Sequence, residues 1–218
     1  MNTRIAGIGM TSERTRLRMI ELLRREGVSD ERVLAAMLEI PRHLFVDEGI
    51  ASRAYEDVAL PIGHGQTISS PTIVGMMTQL LMEKTPMGKV LEIGTGCGYQ
   101  TAVLARLVKE VYTLERIAAL MDKARRNLRD LRFYNVRYKH VDGHGGYPEG
   151  GPYDGILMAA SATHVPEALK QQLAVGGRMV LPVGTDDQFL YTVDRKSDGF
   201  VEQKRAAVRF VPLLPGIS

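Results

Sequence analysis

Between residues 13 and 26, Leu17, Ile20 and Leu23 recur at helical spacing among arginines and glutamates, and Gly27 follows where a left-handed cap would sit; this predicts an amphipathic helix. Ser29 stands where it can cap a second helix carrying Val33, Met37 and Ile40 on one face. Pro41 stops that helix, because proline lacks an amide hydrogen and clashes with the preceding turn. From Arg42 to Pro71 glycines, prolines and hydroxyl residues break the pattern. Structureless stretches longer than about 12 to 15 residues are uncommon in compact domains unless they bind something, so this segment reads as a binding loop. Periodicity returns at Pro71, where Ile73, Met76, Met77, Leu80 and Leu81 mark a helix that ends near Lys84.

After a Pro86-Met87-Gly88 turn the pattern changes. KVLEIG has the length and apolarity of a strand, the glycine cluster GTGCGYQ follows, and TAVLARLVK returns to helical spacing. VYTLE, VRYKHVD and YDGILMAA read as strands, IAALMDKARRNLRDLR and VPEALKQQLAVGG as helices, and RMVLPVG, FLYTVDR and AAVRFVPL as three closing strands. Strands that alternate with helices of about 10 to 15 residues form parallel β-α-β units. The expected fold is therefore α/β: a doubly wound, mostly parallel seven-stranded sheet with helices on both faces, an N-terminal helical extension and an antiparallel pair among the last strands. The chain is expected to form a single domain, with residues 13–84 as the extension and 85–218 as the α/β core.

Composition narrows the functional classes. Lys and Arg number 28 against 25 Asp and Glu, a net +3 over 218 residues. That is too mild for a protein that wraps a polyanion, although a pI of about 9.0 keeps RNA in view. The single cysteine, Cys97, excludes an intrachain disulfide framework and fits a reducing compartment, and no CxxC pair is present for zinc. The leading MNTRIAGIGMTSERTR has an apolar patch too short for a signal peptide, and no apolar run approaches the roughly 18 residues that would span a membrane. A cytoplasmic protein is expected.

The chemistry gathers at the glycine cluster. Open parallel sheets bind ligands at the carboxyl ends of their strands, where strand order reverses. Glu92-Ile93-Gly94-Thr95-Gly96-Cys97-Gly98 spaces its glycines G-x-G-x-G, which is not the dinucleotide G-x-G-x-x-G. Glu115 closes the next strand at the distance expected of a carboxylate that accepts both ribose hydroxyls, and Asp142-Gly143 ends the third strand on the same edge, where it could meet an adenine. These features outline a nucleoside pocket without a pyrophosphate cradle. With Glu92 available as an acceptor for an ammonium, the pocket suits S-adenosylmethionine better than a nicotinamide dinucleotide.

PRHLFVDE (41–48), ALPIGHGQTISSP (59–71), VLEIGTGCGYQTAVLA (90–105), VDGHGGYP (141–148), LPVG (181–184) and VRFVPL (208–213) resemble the bacterial protein-L-isoaspartate O-methyltransferases. The likeness implies a Rossmann-like methyltransferase that moves a methyl group from S-adenosylmethionine to the free α-carboxyl of L-isoaspartyl residues in damaged proteins. The ester then cyclises to a succinimide, the first step of repair. By motif position it implies that Ser69 is the active-site residue with Thr67 beside it, and that Gln66, Thr67 and Ile68 lie along the cofactor. It further implies Glu92, Gly94, Thr95 and Gly96 as the cofactor loop, Glu115 with Arg116 at the ribose, Asp142 and Gly143 at the adenine, and Val211, Pro212 and Leu213 holding the peptide by its backbone. The family also implies a monomer with protein substrates and neither nucleic-acid nor membrane partners. The chain departs from the pattern in lacking Trp near Asp142 and in carrying Ser70 as a second hydroxyl beside Ser69.

Few catalytic groups are needed for such a reaction. A carboxylate is already ionised at pH 7 and requires no general base, so the enzyme's contribution is positioning, for which Ser69 can donate a hydrogen bond. Capping the helix that starts at Pro71 is the alternative role for Ser69. His140 and His144 straddle a strand-to-loop turn and do not share a helical face, so no metal is expected. Lys123, Arg125, Arg126 and Arg129 read as a solvated helix face because no aromatic residue interleaves them. The rival readings are a methyltransferase of RNA or a small molecule, a nicotinamide-dependent dehydrogenase, and a non-catalytic adenosyl-binding module.

Overall fold

A computed structural model describes residue 7 and residues 9–84 and 86–218. The reading of the leading segment falls partly on residues 1–6 and 8, which lie outside the described residues, as does residue 85. Helix α1 (Glu13–Arg25) buries Arg16, Met19, Ile20 and Leu23 at i, i+3, i+4 and i+7. Its inner stripe is thus turned from the predicted one, and Leu17 is exposed. Helix α2 (Glu31–Glu39) buries Val33 and Met37 as expected, but Asp30 caps it in place of Ser29, accepting from the Arg32 amide at 2.9 Å. The amides of Ser29 and Asp30 instead donate to Gln79 Oε1 at 2.6 and 2.8 Å.

The segment read as a loop is built of short elements. Two 3-10 turns, Arg42–Phe45 and Glu48–Arg53, precede an antiparallel hairpin of β1 (Leu60–Gly63) and β2 (Gln66–Ile68). Strands of four and three residues are too short to show alternation. Helix α3 (Pro71–Met82) starts at a proline in its first turn, and Ser70 caps it by accepting from the Ile73 amide at 3.5 Å. It packs on α1, α2 and the sheet together. Gly75 and Thr78 are consequently buried along with Val74, Met77, Leu81 and Met82.

The core consists of β3 (Lys89–Ile93), α4 (Tyr99–Leu107), β4 (Glu110–Glu115), α5 (Ala118–Asp130), β5 (Val136–His140), β6 (Tyr153–Met158), α6 (Glu167–Lys170), β7 (Leu173–Val183), β8 (Gln188–Lys196) and β9 (Gly199–Val208). The sheet order is β5-β4-β3-β6-β7-β8-β9. The five strands from β5 to β7 pair in parallel, and β8 pairs antiparallel with both β7 and β9. Strand order reverses between β3 and β6, which fixes the binding edge. The two faces are clothed unequally. Val90, Val111, Leu157 and Val180 join the core formed by α1 to α5, whereas Leu91, Ile93, Ile156 and Met158 belong to a smaller cluster to which, among the described residues, the four-residue α6 contributes Leu169. Among the described residues no helix is long and apolar enough to cross a membrane.

Two expected elements end differently. The helix expected over VPEALKQQLAVGG stops at Lys170, and the chain is already in β7 at Leu173. Gly176 takes a φ of 86°, and a Cβ on Gly177 would lie 2.8 Å from the Asp154 carbonyl oxygen, so the pair lets β7 slip past β6 where their register shifts. Likewise AAVRFVPL is not one strand: β9 stops at Val208 and residues 209–214 leave the sheet. Gly177→Ala should therefore destabilise the protein by about 1–3 kcal/mol in urea unfolding. The exposed Val175→Ala should change stability by no more than about 0.5 kcal/mol.

Candidate active site

Beyond Ile93 the chain must turn off the sheet without stranding its amides. Gly94, Gly96 and Gly98 adopt φ values of 92°, 54° and 91°, a left-handed sequence that accounts for the G-x-G-x-G spacing. The Gly94 and Thr95 amides donate to the Leu114 carbonyl at 2.9 and 3.1 Å. The Glu115 carboxylate holds the rest: Oε2 accepts from the Gly96 amide at 2.8 Å and Oε1 from the Ile117 amide at 3.0 Å. Each oxygen keeps a further lone pair free, as required of a group that would also accept two hydroxyls.

Above this loop lies a crevice of about 950 Å³, open solvent included. One wall is the hairpin, with Ile62 and Gln66 to Ser69; the floor is Gly94 to Cys97 with Tyr99 and Gln100; the far wall is Glu115, Arg116, Gly143 and the strap from Phe210 to Leu214. The strap is tied down from inside. Ser161 donates its amide to the Val211 carbonyl and accepts from the Leu213 amide, both at 2.8 Å. Gln188 clasps Phe210, accepting from its amide at 2.6 Å and donating to its carbonyl at 3.1 Å. Further along, the Gly216 amide donates to Asp142 Oδ2 at 2.6 Å and Arg116 Nε to the Gly216 carbonyl at 3.0 Å. Gly143 has no room for a side chain, since a Cβ would come within 2.5 Å of Ile93 Cγ2.

Gln66, Thr67, Ile68, Ser69, Gly94, Thr95, Gly96, Glu115, Arg116, Gly143, Val211, Pro212 and Leu213 thus meet around one crevice. The two serines divide their roles: Ser70 spends its hydroxyl on the α3 cap, while Ser69 lines the crevice and has no hydrogen-bond partner among the described residues. Two expected residues stand apart. Asp142 is turned toward His144 and Gly216; burial opposes its ionisation, but those amides and the His144 ring outweigh it and hold the carboxyl down at about 2. Glu92, expected as an acceptor for the cofactor's ammonium, is fully buried beneath the loop and is not among the residues that line the crevice.

Sequence reasoning missed Ile62, Ala159, Ala160 and Phe210. The alanines carried a signal, since they follow β6 at the switch point, where a bulky residue would fill the crevice. The α5 arginines Arg125, Arg126 and Arg129 are exposed, as a solvated face requires, but Tyr138 of β5 lies 5.5 Å from the Arg125 guanidinium, and Phe133 and Tyr134 line the same hollow. Aromatics absent between the arginines in sequence stand beside them in space. Among the described residues no group of three or more His, Cys, Asp or Glu is placed to hold a metal.

The fold is similar to that of a solved protein-L-isoaspartate O-methyltransferase, with a TM-score of 0.84 at 31% identity over 93% of this chain and 67% of that one. It is similar also to a Plasmodium falciparum protein assigned the same activity and solved in complex with S-adenosyl-L-homocysteine, with a TM-score of 0.79 at 28% identity over 90% and 97% of the two chains. Sheet order, glycine loop and strand-end acid together define an S-adenosylmethionine-dependent methyltransferase. Residues 14–217 match the family model described as Protein-L-isoaspartate(D-aspartate) O-methyltransferase. The chain belongs to that family. It is 57% identical over 211 residues to the protein-L-isoaspartate O-methyltransferase of Dechloromonas aromatica, covering 96% of this chain and 98% of the relative. To that of Nitrosomonas eutropha it is 58% identical over 218 residues, covering 99% and 98%.

Because Glu115 satisfies two loop amides, Glu115→Ala should cost about 1–3 kcal/mol of stability even without ligand, measured by urea unfolding. Glu115→Gln, which keeps one acceptor, should cost less.

Proposed function

We propose that the crevice brings methyl donor and acceptor together: the donor's nucleoside against the glycine loop and Glu115, the acceptor peptide between the hairpin and the strap. The reaction is the family's, methyl transfer from S-adenosylmethionine to L-isoaspartyl residues of proteins. The donor set suits this cofactor, for the Glu115 carboxylate is aligned by two amides and Gly96 leaves the loop backbone open to close approach. When bound, S-adenosylmethionine supplies a methyl group activated on a sulfonium.

The rest falls to the chain's own residues. Few side chains around the crevice titrate. Burial pushes the Cys97 thiol up and the Tyr99 phenol up to about 12, so both are neutral at pH 7. A reaction needing a general base would be poorly served here, whereas an acceptor already ionised at pH 7 needs none. Ser69 is half-buried with its hydroxyl unspent, and we assign it the donation of a hydrogen bond that orients the acceptor carboxylate. Thr67, two residues earlier and exposed at the hairpin's edge, lines the same crevice. Ser161 already occupies the Val211 carbonyl and the Leu213 amide, which leaves the outward edge of the strap, with the Pro212 carbonyl and the Leu214 amide, for pairing with a peptide backbone. The crevice is complete within one chain, which supports a monomer, and the single buried thiol supports a cytoplasmic setting.

The single observation that carries this reading is the hairpin and the strap meeting across the glycine loop. Labelled methyl from S-adenosylmethionine should pass to an isoaspartyl peptide and not to its aspartyl twin or to bulk tRNA. Transfer to tRNA would favour the nucleic-acid alternative. Ser69→Ala should lower kcat on the isoaspartyl peptide by about 10- to 100-fold, the worth of one hydrogen bond to a charged group, with S-adenosylhomocysteine affinity within about threefold of wild type. Wild-type kinetics in that variant would remove the assignment.

A further inference from the structure

We propose that Glu92 is a positioning residue that works as a neutral carboxylic acid, anchoring a line of threonine hydroxyls that sets the shape of the glycine loop. The proposal rests on reading the crevice as the cofactor's site, and it gives a role to the one expected residue that is wholly buried beneath it.

Glu92 sits mid-strand in β3, in register with Thr113 of β4 and Leu157 of β6. Its Oε2 accepts from Thr101 Oγ1 of α4 at 2.5 Å and from Thr113 Oγ1 at 2.6 Å. A hydroxyl has one proton to give. Thr113 spends its own on Glu92, so the 2.6 Å contact between the Thr95 and Thr113 hydroxyls must be donated by Thr95. Protons therefore run one way, Thr95 to Thr113 to Glu92, with Thr101 converging from the helix. Thr95 lies between Gly94 and Gly96, so this line fixes the loop from below while Leu114 and Glu115 fix it through its amides.

The same geometry argues against an ionised Glu92. Its Oε1 is buried and has no partner, and no lysine, arginine or histidine pairs with it among the described residues. The groups that face it are the Thr113 hydroxyl and Glu115 from β4, Thr101 from α4 and Tyr138 from β5, whose ring lies 5.5 Å from the Arg125 guanidinium. Leu157 on β6 offers no charge. An unpaired buried anion is costly, and a neutral acid accepts both threonine hydroxyls through one carbonyl oxygen equally well. Burial chiefly, with the Glu115 charge, pushes Glu92 up to about 8 against the opposing pull of the two hydroxyls.

The sign of the linkage is testable without ligand. Between the ordinary glutamate range and about pH 8, the folded protein keeps a proton that the unfolded chain has released, so wild-type stability must fall relative to Glu92→Gln as pH rises. The ratio of the two unfolding constants should change by up to about tenfold per pH unit in that window and level off above it. Glu92→Gln should also bind S-adenosylhomocysteine within about threefold of wild type, whereas Glu92→Leu, which strands both hydroxyls, should bind at least about tenfold more weakly. In wild type alone, the infrared band of a protonated carboxyl should persist above the usual carboxylate range and vanish near pH 8, a readout that needs no variant to fold. A stability difference independent of pH, or the absence of that band, would overturn the proposal. Failure of wild type to bind S-adenosylhomocysteine would overturn the crevice reading instead, and the ligand-free comparison would still decide the state of Glu92.

Discussion

Where strand order reverses between β3 and β6, the chain leaves the sheet and its next amides lose the regular strand-to-strand ladder. That deficit at Gly94 to Gly96 is the constraint around which the binding edge is organised. The Leu114 carbonyl and the Glu115 carboxylate meet it, and both belong to the end of the adjacent strand. A loop held this way has little freedom, because the Gly94, Thr95 and Gly96 amides are all bonded to the end of one strand. The acid that shapes the loop is also the acid that faces the crevice. Structure and ligand recognition are therefore not separable at Glu115, while at Ser69 and Ser70 they are divided between neighbours.

The uneven clothing of the sheet follows from the same arrangement. The N-terminal helices do not form an appendage, since their side chains from Met19 to Met82 join one core with Val90, Leu157 and Leu190. That packing carries the β1-β2 hairpin to one side of the glycine loop. Among the described residues the opposite face carries the short α6 and turns, which leaves space for residues 209–214 to leave β9 and cross the strand ends. Two segments about 140 residues apart in sequence thereby meet across a single crevice.

Much of this was legible in the sequence, for reasons of scale. Strands such as KVLEIG and YDGILMAA are buried on both faces and appear as continuous apolar runs, and the glycine spacing reports its left-handed backbone directly. Elements defined by only a few residues were hidden. The hairpin strands are too short for alternation, LAVGG is a bulged strand whose glycines resemble a helix end, and VRFVPL is apolar because it roofs a crevice. Glu92 shows a different limit. An acid beside a glycine loop has the same letter whether it faces a ligand or a buried row of hydroxyls, and only the pleat of β3 decides which.

The chemistry asked of the crevice is modest, which matches how few of its lining groups titrate and how many are backbone or hydroxyl. An ionised acceptor needs orientation more than activation, and orientation is what a fixed loop, a free serine and a tethered strap provide. The most direct test is a crystal structure of the protein with S-adenosylhomocysteine and an isoaspartyl peptide together. The account predicts the ribose on Glu115 and the free carboxyl within hydrogen-bond reach of Ser69 Oγ, the peptide running along the strap. A peptide bound elsewhere, or a carboxyl turned away from Ser69, would contradict it.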